Sequence, residues 1–196
     1  QVAAASDLPG DIRGGYSITA EGVDQNRRPK TVGFLADEHI VETLGLELVA
    51  GTGFPKPWRE ELGVQYIVNE TALRFLGWQP QEAIGRAIGV RGETDGRIVG
   101  VVKDFHFASL HSEVNPLVIW IEPRNFDFLL LKVGPENLAG TLGYIRQVWQ
   151  RAVPQHPFEL IFLDQEFENL YRADQRVGQI FSVFAGLALF VACLGL

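Results

Sequence analysis

The side chains best suited to chemistry lie between Val99 and His111, in the run VGVVKDFHFASLH. Asp104, His106 and His111 fall within eight positions, a grouping that could hold a metal ion or form an acid–base pair. The two histidines are five residues apart, however, which fits neither one face of a helix nor the alternation of a strand. We therefore interpret the run as a strand that ends in a turn, with its two phenylalanines packed on the core.

No other motif predicts an active site. Ser109 lacks the G-x-S-x-G context of a nucleophile elbow, and there is no phosphate-binding loop, dinucleotide fingerprint or calcium loop. The carboxylates between Asp164 and Glu168 are typical of a helix N-terminus. A single cysteine, Cys193, excludes an intramolecular disulfide and any multi-cysteine metal site. We expect no catalytic, cofactor-binding or metal-binding residue.

Composition indicates a globular body with a real core. Of 196 residues, 46% are hydrophobic and 21% charged, which suits one large domain or two small ones. The formal net charge of -7 lacks the basic character of a nucleic-acid-binding protein, so we expect no nucleic acid partner.

The C-terminal stretch from Val177 to Leu196 carries no charged residue, and fifteen of its twenty residues are apolar. Twenty helical residues span about 30 Å, the thickness of the hydrocarbon core of a bilayer. The stretch is apolar on every side, whereas a buried core helix usually has a polar side. It predicts a membrane-spanning helix, and we expect the chain, which begins at Gln1 and has no methionine, to be part of a longer membrane protein.

The same helix is predicted to begin upstream of the apolar stretch. Phe167, Leu170 and Tyr171 fall at steps of three and four residues, and the pattern, broken by the polar Asp174, resumes in the apolar stretch at Val177. We interpret this as one continuous helix that carries motion between the body and the bilayer.

Alternating and helical patterns succeed one another through the body, after a loosely ordered lead-in over residues 1–15. Asp37, Asn69 and Asn137 are predicted N-caps, and Gly45 and Gly77 are predicted stops. The predicted helices are 38–44, 70–76 and 138–152. The predicted strands are 16–20, 31–36, 46–50, 66–68, 86–90, 97–102, 117–121, 128–133 and 158–163.

Two blocks, 31–50 and 128–163, share a strand–helix–strand plan, and the helix in each block favours parallel neighbouring strands. A strand-richer region lies between them. The sequence therefore predicts an α+β fold in which one βαβ-containing subdomain is interrupted by an inserted, strand-rich subdomain.

Four segments resemble the FtsX-like/MacB-type family of ABC transporter permeases, especially its branch common in Bacteroidetes. They cover a little over a third of the chain, in the order found in the family: VNETALRFLGW (68–78), EAIGRAI (82–88), IVGVVKDFHFASLHSEVNPLVI (98–119) and the run from Phe162 to Leu196.

The resemblance implies a soluble region between two membrane helices, on the periplasmic side of the bacterial inner membrane. It implies a discontinuous porter-like subdomain (1–65 and 124–166), an inserted sabre-like subdomain (66–123), and a stalk with the start of a transmembrane helix (167–196). It further implies a non-enzymatic, force-transmitting role in export or extraction of a substrate. The implied partners are a cytoplasmic ABC ATPase subunit or domain, a second permease copy, a periplasmic adaptor or other envelope protein, and membrane lipid.

Two alternatives stay open from the residues alone. An extracytoplasmic ligand-sensing domain of a membrane receptor would also precede a membrane helix. A membrane-tethered hydrolase would use Asp104 and His106.

Overall fold

The structure is a computed structural model, and it describes residues 1–12, 14–23, 30–90, 95–105 and 114–163. In chain order these residues form β1 (Val2–Ala5), β2 (Gly14–Ala20), β3 (Lys30–Leu35), α1 (Ile40–Leu44), β4 (Leu48–Gly51), β5 (Val64–Asn69), α2 (Glu70–Leu76), α3 (Pro80–Ala83), β6 (Ala87–Val90), β7 (Gly96–Val102), β8 (Leu117–Trp120), β9 (Phe128–Leu131) and α4 (Leu138–Ala152). This mixture of helices and strands confirms the predicted α+β class.

Seven strands form one sheet in the order β4-β7-β5-β8-β3-β2-β6. The strand β6 pairs antiparallel with β2 and also with the first residues of β7, Gly96 and Arg97. The last residues of β7, Gly100 to Val102, pair with β4 along the same edge. Six strands (β7, β5, β8, β3, β2 and β6) therefore close into a circuit, which leaves β4 outside it.

Alternation along the central strands separates two apolar cores. Val118 and Trp120 of β8 point into the first core, to which every strand of the circuit contributes side chains and onto which α2 packs. Leu117 and Ile119 of the same strand point into the second core, with α1, β1 and β9. Strands buried on both faces read as continuous apolar runs, and LVIW in β8 is such a run.

Three of the predicted caps and stops have the expected geometry. Gly45 and Gly77 end α1 and α2 in the left-handed conformation, and the Asn69 side chain accepts a hydrogen bond from the N–H of Ala72. Asp37 accepts a hydrogen bond from the N–H of His39, but α1 begins only at Ile40 with His39 as its N-cap, so the predicted cap lies two residues too early. Asn137 occupies the predicted N-cap position before α4, but it has a φ of 53° and makes no side-chain capping bond.

The lead-in contains a strand that the sequence prediction missed. β1 pairs antiparallel with β9, Val2 opposite Leu131 and Ala5 opposite Phe128, in a separate two-stranded sheet. Small side chains make a weak strand signal, but here they allow close packing, and Ala3 and Ala5 are fully buried in the second core.

The block 128–163 contains only part of the predicted plan. β9 and α4 are confirmed, whereas the predicted strand 158–163 does not form, so the predicted parallel partner is absent there. In the block 31–50, β3 and β4 share a sheet but are not neighbours, because β7, β5 and β8 lie between them. The prediction of parallel neighbours within each block is therefore wrong.

Within the described residues, no helix combines the length and the apolar character needed to cross a bilayer. The predicted span, Val177 to Leu196, and its predicted stalk lie outside the described residues.

Candidate functional site

The motif segments 68–78 and 98–119 meet at one edge of the large sheet. β5 and β7 run parallel, with Asn69 opposite Val102, so their carboxyl ends lie side by side. The helix α2 begins directly at the end of β5, and Asp104 follows the end of β7 by two residues. This register brings Asp104 against the first turn of α2.

Both carboxylate oxygens of Asp104 accept hydrogen bonds from α2. Oδ1 accepts from the N–H of Thr71 at 2.9 Å, and Oδ2 accepts from the Thr71 hydroxyl at 2.8 Å. Arg74 donates Nη2 to the same Oδ2 at 2.7 Å and also contacts the Thr71 hydroxyl. In return, Glu70 Oε2 accepts from the N–H of Asp104 at 3.1 Å. Four contacts thus tie the end of β7 to one helical turn.

The charge of Asp104 is stabilised in this setting. Partial burial by itself raises the pKa of Asp104, but the hydrogen bonds from Arg74 and from the N–H and hydroxyl of Thr71 outweigh it, so the pKa lies below its ordinary value of 3.8. A general acid that works near neutral pH needs a raised pKa. The arrangement suits a structural tie.

Asn69 makes a second tie from the same turn to the start of β8. Its side chain is fully buried. Oδ1 accepts from the N–H of Leu117 at 2.9 Å as well as from the first turn of α2, and Nδ2 donates to the carbonyl of Asn115 at 3.0 Å. The chain between β7 and β8 is therefore anchored on α2 at both ends.

The predicted core contact of Phe105 is confirmed, since it packs against the second core together with Val114. His106, Phe107, Ser109 and His111 lie outside the described residues, so the proposed acid–base pair has only Asp104 within them. Over the described ranges, no group of three or more His, Cys, Asp or Glu side chains could hold a metal ion.

The sequence reasoning missed Glu70, Thr71 and Arg74 as partners of Asp104. One signal could have found them. Polar residues directly after two apolar strands meet when those strands are parallel neighbours, and Asn69–Thr71 and Asp104 stand in these positions.

No protein-family model matches the chain, and no curated protein matches its sequence. Among solved structures, the chain resembles the periplasmic region of MacB from Actinobacillus actinomycetemcomitans with a TM-score of 0.57. The likeness covers 87% of this chain and 75% of that one, at 10% sequence identity.

The chain has the fold of the MacB periplasmic region. At 10% identity this finding concerns the fold alone. It agrees with the resemblance of the four sequence segments, two of which meet at the ends of β5 and β7.

Two further solved structures are similar at lower scores. A domain of a putative permease protein from Porphyromonas gingivalis gives a TM-score of 0.47 at 16% identity, over 82% of this chain and 76% of that one. The extracellular domain of the noncanonic ABC-type transporter YknZ from Gram-positive bacteria gives 0.49 at 11% identity, over 77% and 75%.

Proposed function

We propose that this chain is the extracytoplasmic domain of an ABC transporter permease subunit and that it transmits ATP-driven conformational change across the inner membrane. The observation that carries the proposal is the MacB periplasmic fold over 87% of the chain. A fold alone does not fix a function. Two further features therefore support the inference from the MacB fold to a permease function. One is the charge-free stretch from Val177 to Leu196, and the other is the pair of motif segments that the structure ties together.

The proposed location combines the C-terminal stretch, which places the chain at a membrane, with the MacB likeness, which favours the periplasmic side. Residues 177–196 start a transmembrane helix, residues 167–176 form its stalk, and the described body lies in the periplasm. A charge-free stretch of twenty residues inserts without the cost of about 2.5–3.5 kcal/mol that a charged residue adds at mid-helix.

The division into an outer porter-like unit and an inserted sabre-like unit stays a prediction, and the sheets favour different limits. β2 to β8 share one sheet, so a boundary between residues 65 and 66 would fall inside β5. The second sheet takes one strand from each flank, β1 and β9. An outer unit of β1, β9 and α4, with β2 to β8 as the insert, keeps the strands of each sheet together, and the bridge between Ala5 and Ala36 joins the two units.

The proposed partners are those of a permease. A cytoplasmic ABC ATPase, separate or fused, hydrolyses ATP, and a second permease copy completes the transporter. A periplasmic adaptor or another envelope protein receives the motion or the substrate. In this proposal the body acts as a lever in export or extraction and performs no catalysis.

A distance measurement between two copies tests the proposal. Phe75 on α2 is 64% exposed, so a spin label on Phe75→Cys, in a Cys193→Ser background, reports the body without disturbing its core. The membrane protein is reconstituted with its ATPase, and the label-to-label distance is measured with and without ATP. We expect the distance distribution to shift with nucleotide.

The matched control is the same complex with an ATPase that binds ATP but cannot hydrolyse it, which should hold one end state. A distance that is insensitive to ATP, or a body labelled only from the cytoplasm by a membrane-impermeant thiol reagent, would contradict the proposal. A shift caused by a small-molecule ligand without any ATPase would support the receptor alternative.

A further inference from the structure

The small sheet has one buried face and one exposed apolar face. Ala3 and Leu130, directly opposite each other, are buried in the second core. The neighbouring pair Val2 and Leu131 points the other way, exposed by 50% and 41%, and Leu129 on the same face is exposed by 54%. We call Val2, Leu129 and Leu131 the outer face.

A two-stranded sheet is marginal in water unless its apolar faces are packed. Three large apolar side chains on one face, each about half exposed, are therefore expected to be covered in the complete protein. At the end of the described body, Leu160, Ile161 and Phe162 are also exposed apolar side chains.

The helix α4 carries an apolar stripe of Leu138, Leu142, Ile145 and Trp149, of which Trp149 already has contacts of its own. Trp149 packs edge-on against Phe158, with ring centroids 6.2 Å apart, and donates Nε1 to the carbonyl of His156. The chain beyond Leu163 offers a second stripe, with Phe167, Leu170 and Tyr171 at helical spacing.

The length of this second segment fits the outer face. Residues 164–176 would make a helix of about 20 Å, and the four residues of β9 extend about 14 Å. The charge-free stretch begins directly afterwards, at Val177. A helix here could lie on the sheet and still enter the bilayer.

We propose that residues 164–176 of this chain pack on the outer face, with Phe167, Leu170 and Tyr171 against Val2, Leu129 and Leu131. This inference rests on the proposed function and deepens it. It names the contact through which movement of the membrane helix reaches the body: a packed helix moves with the sheet, whereas a free linker would absorb the movement.

Cysteine pairs in the full chain test this contact. In a Cys193→Ser background, Leu131→Cys is combined with Leu170→Cys, and the protein is oxidised in vesicles of phosphatidylethanolamine and phosphatidylglycerol. A disulfide needs Cα atoms within about 7 Å, so it forms only if the segment lies on the face. We expect an intrachain disulfide, identified by mass spectrometry of the linked peptides.

The matched control is Leu131→Cys with Asn169→Cys, since position 169 lies on the far side of the predicted helix from the stripe. We expect this pair to link at least tenfold more slowly. A non-covalent check is the substitution Leu170→Ser, which should speed amide hydrogen exchange in β1 and β9 and leave β5 unchanged.

Three outcomes would overturn the inference. A disulfide between two chains through Leu131→Cys assigns the outer face to a second copy. Faster linkage of Leu131→Cys to Leu142→Cys assigns it to α4. Quenching of a fluorophore at position 131 by spin-labelled lipid, without linkage to 170, assigns it to the membrane surface.

The same samples separate this inference from the proposed function. If the chain sediments with the vesicles and the distance between copies responds to ATP, but the 131–170 disulfide is absent, only the packing inference fails. If the disulfide forms while the chain stays in the aqueous phase, the packing stands and the proposed function fails.

Discussion

The carboxylate of Asp104 holds the end of β7 against α2 by accepting hydrogen bonds from three donors. Replacing this carboxylate should lower the stability of the protein by a measurable amount. Asp104→Asn keeps the shape of the side chain but replaces one acceptor oxygen with a donor that faces the Thr71 hydroxyl or Arg74. We expect a loss of about 1–3 kcal/mol in the free energy of unfolding, measured by urea titration of tryptophan fluorescence. The side chain of Arg74 is 65% exposed, so its ion pair with Asp104 accounts for the smaller share of this loss in stability.

The matched control for this loss is Asp127→Asn, at an exposed position after β8. It should change stability by less than about 0.5 kcal/mol. Equal losses of stability in Asp104→Asn and Asp127→Asn would mean that the hydrogen bonds between Asp104 and α2 make no specific contribution.

The same carboxylate predicts a dependence on pH. The folded pKa of Asp104 is lowered below 3.8, so its stabilising contribution is complete above that value and is lost as the pH falls through the folded pKa. The difference in unfolding free energy between wild type and Asp104→Asn should therefore be constant from pH 5 to 7 and shrink below about pH 4. A difference that grew on acidification would contradict the assigned direction.

Gly33 in β3 is predicted to tolerate no side chain. A Cβ there would lie 2.2 Å from the ring of Tyr16 and 2.8 Å from that of Trp120, two rings packed edge-on at 5.1 Å. Gly33→Ala should cost about 1–3 kcal/mol, measured by thermal unfolding.

Gly15 in β2 is the control for Gly33, because a Cβ at that position would meet no atom within 4 Å. Gly15→Ala should be neutral or stabilise the protein by up to about 1 kcal/mol, since alanine loses less backbone entropy in a strand. A stable Gly33→Ala protein would show that the Tyr16 ring moves aside freely.

Among the elements, α2 joins the two motif segments, and Asn69 is the residue that begins it. Asn69→Ala removes the cap and also leaves the N–H of Leu117 and the carbonyl of Asn115 without this partner. We expect a loss of about 2–4 kcal/mol, more than the typical 1 kcal/mol of an exposed cap. Hydrogen exchange at Ala72 and Leu117 should rise together.

Asn137→Gly is the comparison for the α2 cap, because Asn137 makes no capping bond and has a positive φ that glycine adopts easily. It should leave stability unchanged or raise it slightly. A similar loss at both asparagines would contradict the role assigned to Asn69.

Strands and helices were predictable where the local signal was strong. Alternating or continuous apolar residues located β2 to β9, and asparagine and glycine located the ends of α2. β1 was missed because alanines carry no strand signal of their own; its pairing with β9, more than a hundred residues away, makes it a strand. Residues 158–162 have a strand-like composition, but they pair with no strand in the described parts of the chain.

For the whole molecule, the membrane stretch gives a direct test. In residues 164–196 fused to a soluble carrier protein, Leu187→Arg places a charge in the middle of the predicted span. It should cost about 2.5–3.5 kcal/mol of insertion and lower carbonate-resistant membrane association of the fusion severalfold. Gln175→Arg, outside the apolar stretch, is the control and should leave association unchanged. If Leu187→Arg remains fully membrane-associated, the span is misplaced.

The sequence by itself determined the α+β class, most of the elements, the apolar C-terminal stretch and the resemblance to MacB-type permeases, because these rest on periodicity, composition and short motifs that neighbouring residues carry. Only the tertiary structure decided that β6 closes a circuit between β2 and β7, that β1 and β9 form a sheet of their own, and that Asp104 meets Thr71. These contacts join residues that are distant along the chain. Their selection depends on how all the apolar faces can be buried at once, and no local pattern contains that information.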